Sequence, residues 1–205
     1  MTLRLTFVSP ALGPALREAR FAGDCAGGGP IDDAGERRAR AAASAVPDAG
    51  LHLSGPSERC RRTAQALGLR ATAEPRLRDW EMGRWRGLRL SDVAADEPDG
   101  VAAWLGDPAA APHGGESLLA LIGRMGRWLD SLTGADGATA AAGEADPGGV
   151  GRITAVVEPA VVRAAVVHAV PLPPTAFWRL DVAPLSRITL SGRSGRWNLS
   201  LGAPL

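Results

Sequence analysis

Lysine and tyrosine are missing altogether from this chain of 205 residues. Without lysine there is no Schiff base, no lysine general base and no P-loop grip on a nucleotide phosphate. Its 23 basic residues are therefore all arginine, set against 22 acidic ones for a formal net charge of +1. A balance of that kind creates no field that would steer the protein to nucleic acid or an anionic membrane. Only two cysteines are present, Cys25 and Cys60, far apart and without metal-ligand spacing, which excludes a disulfide framework and a zinc site. Cys60, on a predicted helix, reads as a small core residue. Histidine is scarce too: His52, His113 and His168 are the full set. No metal and no cofactor are expected.

Long apolar runs are also lacking. The stretch from Ile153 to Leu172 is broken by Glu158, Pro159, Arg163 and His168, so it fits a buried strand followed by a helix rather than a membrane span. The opening "MTLRLTFVSPAL" alternates apolar and polar residues and reads as a first strand, not a signal peptide. A cytoplasmic protein is expected, and the length suits a single domain over 1–205.

What is present is an alternation of strand and helix signals. "LRLTFV" and "LHLS" are strands; "DDAGERRARAAASAV" is a helix with Asp32 or Asp33 as cap, and "PSERCRRTAQAL" a helix opened by Pro56 and Ser57. "LRATAEPRLRDW" reads as extended, and "SDVAADEPDGVAAWLGD" as one or two short helices. In "ESLLALIGRMGRWLDSL" the apolar residues Leu118, Leu121, Ile122, Met125, Trp128 and Leu129 have the spacing of one buried helix face. Residues 133–151, rich in small loop formers, predict a flexible connection. "ITAVV" is a β-branched strand, "AVVRAAVVHAV" a helix, "TAFWRL" a short helical piece, and "SRITLSGRSGRWNLSL" a hairpin. The expected fold is a three-layer α/β/α domain, a mainly parallel sheet with helices on both faces and a C-terminal edge hairpin.

The corner "AVVEPAVVRAAVV" places Glu158 and Pro159 where a buried strand runs into a helix. Ligands of open α/β sheets bind at such strand ends, and a helix N-terminus there favours anions. A carboxylate is an unexpected occupant.

Several segments together resemble the histidine phosphatase superfamily, with its phosphoglycerate mutase-like fold. "LSGPSERCRRTAQALGL" is similar to that family's Ser-Pro-x-x-Arg-Ala-x-x-Thr-Ala segment, "LRDWEMGRWRGL" to its Leu-Arg-Glu-x-x-x-Gly-x-Trp-Glu-Gly segment, and "PHGGES" to its Pro-Gly-Gly-Glu-Ser loop. The order agrees, and the matches run from Leu3 to the final hairpin. The resemblance implies a nucleophilic histidine in an Arg-His-Gly turn, a second histidine, phosphate-binding arginines and an acid that protonates the leaving oxygen. In this sequence the turn falls on Ser9, Pro10 and Ala11, the second histidine on Glu158, and the acid on Asp79; of the central quartet Arg59 remains.

Pro10 and Glu158 are thus the two lost catalytic positions that the resemblance implies. A carboxylate about 4 Å from a phosphate costs roughly 4 kcal/mol at an effective dielectric near 20. The sequence therefore predicts a catalytically degenerate member that neither hydrolyses nor transfers phosphate, its cleft used for a small-molecule ligand or a protein partner. The alternative is a repurposed enzyme of cyclase, dehydratase or isomerase type with Glu158 and Asp79 as acid and base. Glu158 is expected at the cap of the helix begun by Pro159, paired with Arg59. The binding candidates are Arg59, His113, Ser9 and Trp80. His113 reads as a loop histidine, solvated unless it meets a ligand, while His52 and His168 read as structural.

Overall fold

A computed structural model describes residues 2–21, 31–132, 150–193 and 195–201. Six strands form one sheet in the order β3-β2-β4-β1-β5-β6. Their ranges are β1 Thr2–Val8, β2 Leu51–Ser54, β3 Thr72–Ala73, β4 Val150–Val156, β5 Arg187–Arg193 and β6 Arg196–Ser200. β1, β4, β2 and β3 run parallel, and β5 and β6 pair antiparallel. The expected mainly parallel sheet with a C-terminal edge hairpin is what the chain forms.

Six helices of seven residues or more accompany it among the described residues: α1 Asp33–Ala42, α2 Glu58–Ala66, α3 Leu90–Asp96, α4 Pro98–Gly106, α5 Leu118–Ser131 and α6 Pro159–Ala169, with a four-residue helix at Pro14–Arg17 and 3-10 segments elsewhere. Local chemistry sets their starts. Asp32 accepts the Gly35 N–H, Ser57 the Cys60 N–H and Ser117 the Ala120 N–H, each satisfying a donor that the first turn leaves free. Pro159 opens α6, where its missing N–H costs no helix bond. The extended reading of 69–80 is corrected: only Thr72–Ala73 pairs as a strand, and Pro75–Leu77 is a 3-10 turn that Pro75 begins.

Side-chain alternation divides the core in two. Leu5, Phe7, Ile153, Ala155 and Leu190 belong to one cluster with the apolar faces of α5 and α6, Phe7 lying 6.1 Å from the Trp128 ring. Val8 and Val156 belong to a second cluster with Ala39 of α1 and Cys60 and Ala64 of α2. Helices therefore cover both faces of the sheet. Close approach of α5 to α6 depends on Gly126, since a Cβ there would lie 2.4 Å from Cε1 of His168. Of the predicted flexible connection at 133–151, residues 133–149 lie outside the described residues, and Val150 and Gly151 are corrected to the start of β4, paired with Thr2 and Leu3.

The parallel strands end in register: Val8 and Ser54 both pair with Val156. Bonds from Val157 N to Val8 O (3.0 Å) and Gly55 N to Val156 O (2.8 Å) continue the sheet one residue further. This edge carries the segments 9–11, 55–59 and 157–159.

Candidate functional site at the C-terminal edge of the sheet

Glu158 and Arg59 meet at that edge. Arg59 Nε donates to Glu158 Oε1 at 3.3 Å, and Nη2 donates to Oε2. Ser57 Oγ donates to the same Oε1 at 2.8 Å, and the Cys60 thiol lies 3.6 Å from it. Glu158 occupies the N-cap position of α6, yet its side chain makes no cap bond there. It reaches instead to the first turn of α2, where Ser57 both caps the helix and donates to the carboxylate. The pair is largely buried, with side chains 13% and 6% exposed. Bidentate geometry makes such a pair strong, and helix N-termini favour its negative partner. Burial works against the Arg59 charge, but Glu158 outweighs it and holds the guanidinium above its ordinary range. Burial, reinforced by Glu158, pushes the Cys60 thiol well up. Two of the three Arg59 nitrogens are engaged; Nη1 has no partner among the described residues.

Asp79 joins this pair from the segment before α3. It is half-buried, and burial followed by the charge of Glu158 pushes its carboxyl up to about 7, against the Trp80 N–H, Arg59 and Arg124. The Trp80 N–H bond to Oδ1 is 2.8 Å long. A carboxyl with that pKa beside a cation is a proton donor at neutral pH.

Sequence reasoning missed the group behind Asp79. Arg124 of α5 is buried and paired in a bidentate way with Glu116 at 2.8 and 2.9 Å. Its remaining bonds go to the carbonyls of Arg76 (2.6 Å), Arg78 (3.0 Å) and Asp79 (3.3 Å). Trp80 Nε1 donates to the Glu116 carbonyl at 2.6 Å. Gly115 and Gly83 let the two loops touch backbone to backbone, since a Cβ on Gly115 would lie 2.0 Å from Glu81 O.

Of the predicted site residues, the structure brings Arg59, Glu158 and Asp79 together. Ser9 is directed elsewhere: it is fully buried, its hydroxyl donates to Ala183 O at 2.5 Å, and it accepts the Ser186 N–H at 3.0 Å. Pro10 is buried beside it, and the turn is tied to α2 by Ala11 N donating to Thr63 Oγ1 at 3.1 Å. Trp80 is 7% exposed and packs against Trp104, Phe177 and Trp178, a core position rather than an open wall. The solvated reading of His113 is corrected: it is 1% exposed, its Nδ1 accepts the Gly115 N–H at 2.9 Å, and its ring stands against Trp85. Burial, helped by Arg84, holds its pKa below the usual histidine value.

A concavity of about 270 Å³ lined by Thr2, Gly192, Arg193, Arg196 and Asn198 lies at the opposite end of β1, away from these groups. Among the described residues no helix is long and apolar enough to cross a membrane.

Comparison with known proteins fits this geometry into a family. The sequence profile of the histidine phosphatase superfamily (branch 1) matches residues 17–202. A glucosyl-3-phosphoglycerate phosphatase of Mycolicibacterium vanbaalenii is 35% identical over 100 residues, 46% of this chain and 44% of that protein. One from Mycobacterium tuberculosis is 36% identical over 63 residues, 31% of this chain and 28% of its own length. The chain thus spans less than half the length of these curated relatives. Among solved structures, a mycobacterial glucosyl-3-phosphoglycerate phosphatase in complex with vanadate superposes with a TM-score of 0.80 at 27% identity, covering 97% of both chains. A putative alpha-ribazole-5'-P phosphatase from Escherichia coli gives 0.80 at 18% identity over 97% and 95%, a likeness of fold.

These relatives and neighbours are named as phosphatases, which overturns the expectation of a degenerate member diverted to ligand or partner binding. The alternative, a cyclase, dehydratase or isomerase, falls with it. The sequence reading took the absence of imidazoles at Pro10 and Glu158 as the loss of phosphate chemistry, whereas Arg59 and the Asp79 carboxyl, raised to about 7, remain electrostatically coupled there. Profile and fold together make this chain a member of the histidine phosphatase superfamily, branch 1.

Proposed function

We propose that the chain hydrolyses phosphate monoesters at the Arg59, Asp79 and Glu158 cluster. The observation that carries this reading is Arg59 at the sheet edge with Nη1 unpaired among the described residues, coupled to an Asp79 carboxyl that burial and Glu158 push up to about 7. Such a group delivers a proton to a leaving alkoxide at neutral pH. Arg59 Nη1 is the donor left for a phosphoryl oxygen, and positioning with charge stabilisation supplies most of the catalysis of phosphoryl transfer.

Pro10 offers no nucleophile, so the attacking oxygen comes from another group. Ser57 Oγ already donates to Glu158 Oε1, the arrangement of a hydroxyl with an adjacent base. In this reading Ser57 Oγ bonds to phosphorus as its proton passes to Glu158, and the ester P–O bond breaks as Asp79 protonates the leaving oxygen. Water then attacks the phosphoserine, giving a proton to Asp79, while the Ser57 oxygen recovers its proton from Glu158 and inorganic phosphate departs. With Asp79 protonated, Arg59, Glu158 and Asp79 together carry no net charge, which lowers the repulsion that an incoming phosphate meets. The relatives named for glucosyl-3-phosphoglycerate make a phosphorylated sugar acid the first substrate class to try.

Release of inorganic phosphate from p-nitrophenyl phosphate, 3-phosphoglycerate and glucosyl-3-phosphoglycerate tests the reading, with phosphoserine sought by mass spectrometry after acid quench. We expect turnover that falls about 100-fold or more in Arg59→Ala and in Asp79→Asn and is lost in Ser57→Ala. Phosphate release equal to the Arg59→Ala background for every ester would overturn it.

A further inference from the structure

We infer that Arg124 is the positioning residue for Asp79, fixing the proton donor by gripping the main chain on which it sits. This rests on the reading of Asp79 as that donor. Arg124 meets the site only through the main chain: its guanidinium bonds to Glu116 and to the carbonyls of Arg76, Arg78 and Asp79. The three guanidinium nitrogens thus tie α5, the loop carrying Glu116 and the segment 76–79 that runs out of the 3-10 turn into one unit. Both members are below a tenth exposed, where a guanidinium fork gives fixed geometry rather than a loose ion pair.

A merely structural pair would stabilise the fold without governing Asp79. The groups facing Asp79 argue for more. Burial and then Glu158 raise its pKa, while Arg59 from α2 and Arg124 from α5 lower it, and Arg124 also holds the Asp79 carbonyl at 3.3 Å. Glu116, held by Arg124, is the counter-charge behind them. Arg124 therefore acts on Asp79 both through its own carbonyl and through its charge, and Glu116 sets how much of that charge Asp79 meets.

Opposite-sign variants separate the two roles. In Arg124→Gln a cation is lost near Asp79, so its titration moves upward; in Glu116→Gln the arginine is left less neutralised, so it moves downward. The titration is followed on the Asp79 carboxyl carbon by NMR of 13C-aspartate-labelled protein, assigned by Asp79→Asn, and in parallel by the pH profile of kcat on p-nitrophenyl phosphate. We expect shifts of opposite sign, a tenfold or larger fall of kcat at pH 7 in Arg124→Gln with KM within threefold, and partial recovery in Arg124→Lys. Should Arg124→Gln not fold, the downward shift in Glu116→Gln decides alone. Shifts of the same sign, or none in Glu116→Gln, would overturn the inference. Wild-type protein that releases no phosphate while the NMR shifts hold would sink the reading of hydrolysis and leave the control of Asp79 standing.

Discussion

Among the described residues, two largely buried arginine–glutamate pairs look alike on paper and are built differently. Arg124 and Glu116 are both under a tenth exposed, and the guanidinium is surrounded by five acceptor contacts. Arg59 and Glu158 sit at the sheet edge, where the guanidinium has two contacts to its partner and a donor to spare, and the carboxylate also takes Ser57. Saturated on all sides, an arginine is a joint; left with one donor unpaired, as Arg59 is among the described residues, it keeps a hydrogen bond to give, the one proposed above for a phosphoryl oxygen. Burial alone does not tell the two apart. The count of unmet donors and the neighbouring proton do.

Removing one partner of the saturated pair is the harshest way to break that comparison. Arg124→Ala or Glu116→Ala leaves an uncompensated buried charge or three unmet carbonyls, at a cost of about 3–5 kcal/mol. A drop of roughly 10 °C or more in Tm is the expected reading by calorimetry; a change below about 2 °C would place the two pairs in one class. Asp79 comes next. Its folded pKa of about 7 lies above the 3.8 of a free aspartate, so the folded state holds an extra proton between those values. Stability from this group is full below pH 4 and is lost as pH rises to 7. Asp79→Asn is therefore expected to be more stable than wild type at pH 8, by about 2 kcal/mol, with the gap closing towards pH 5. A gap that widens on acidification reverses the assignment.

Ser57→Ala sharpens the contrast from the edge side. It removes an N-cap and a bond to Glu158 together, and about 1–2 kcal/mol is expected from denaturant midpoints. Recovery of most of it by Ser57→Thr is expected, since a hydroxyl is what both roles share. The smallest effect concerns Cys60. Fully buried, with its pKa pushed up by burial and Glu158, it is expected to resist iodoacetamide at pH 7.5 in folded protein, as read by peptide mass mapping; rapid labelling would mean an open edge.

The layers of this fold were legible because periodic apolar residues declared them. Ser117 followed by Leu118, Leu121, Met125 and Trp128 announces α5 with its start, and Pro159 announces α6. The partnership of Arg59 with Glu158 was legible too, because both positions could be placed at strand ends by motif spacing. Arg124 was not. It lies one turn from Leu121 and from Trp128, inside the buried stripe, and an arginine in that place is itself a signal of an internal partner, although nothing local says which carbonyls it meets. His113 escaped for a related reason: glycines and proline around it read as a solvated loop, while the backbone contact at Gly83 and Gly115 closes that loop over the ring. The role of the edge was misjudged for a chemical reason, since the reading weighed the groups missing from Pro10 and Glu158 above the proton that Asp79 retains.

The glycine contact has a practical consequence for anyone who re-engineers this protein. Because the backbones of 81–83 and 113–115 meet without room for a methyl group, a piece exchanged at either stretch is tolerated only if it keeps glycine at 83 and at 115. One-piece chimeras that retain both glycines should express as ordered proteins, where those that bring any larger residue to 83 or 115 do not.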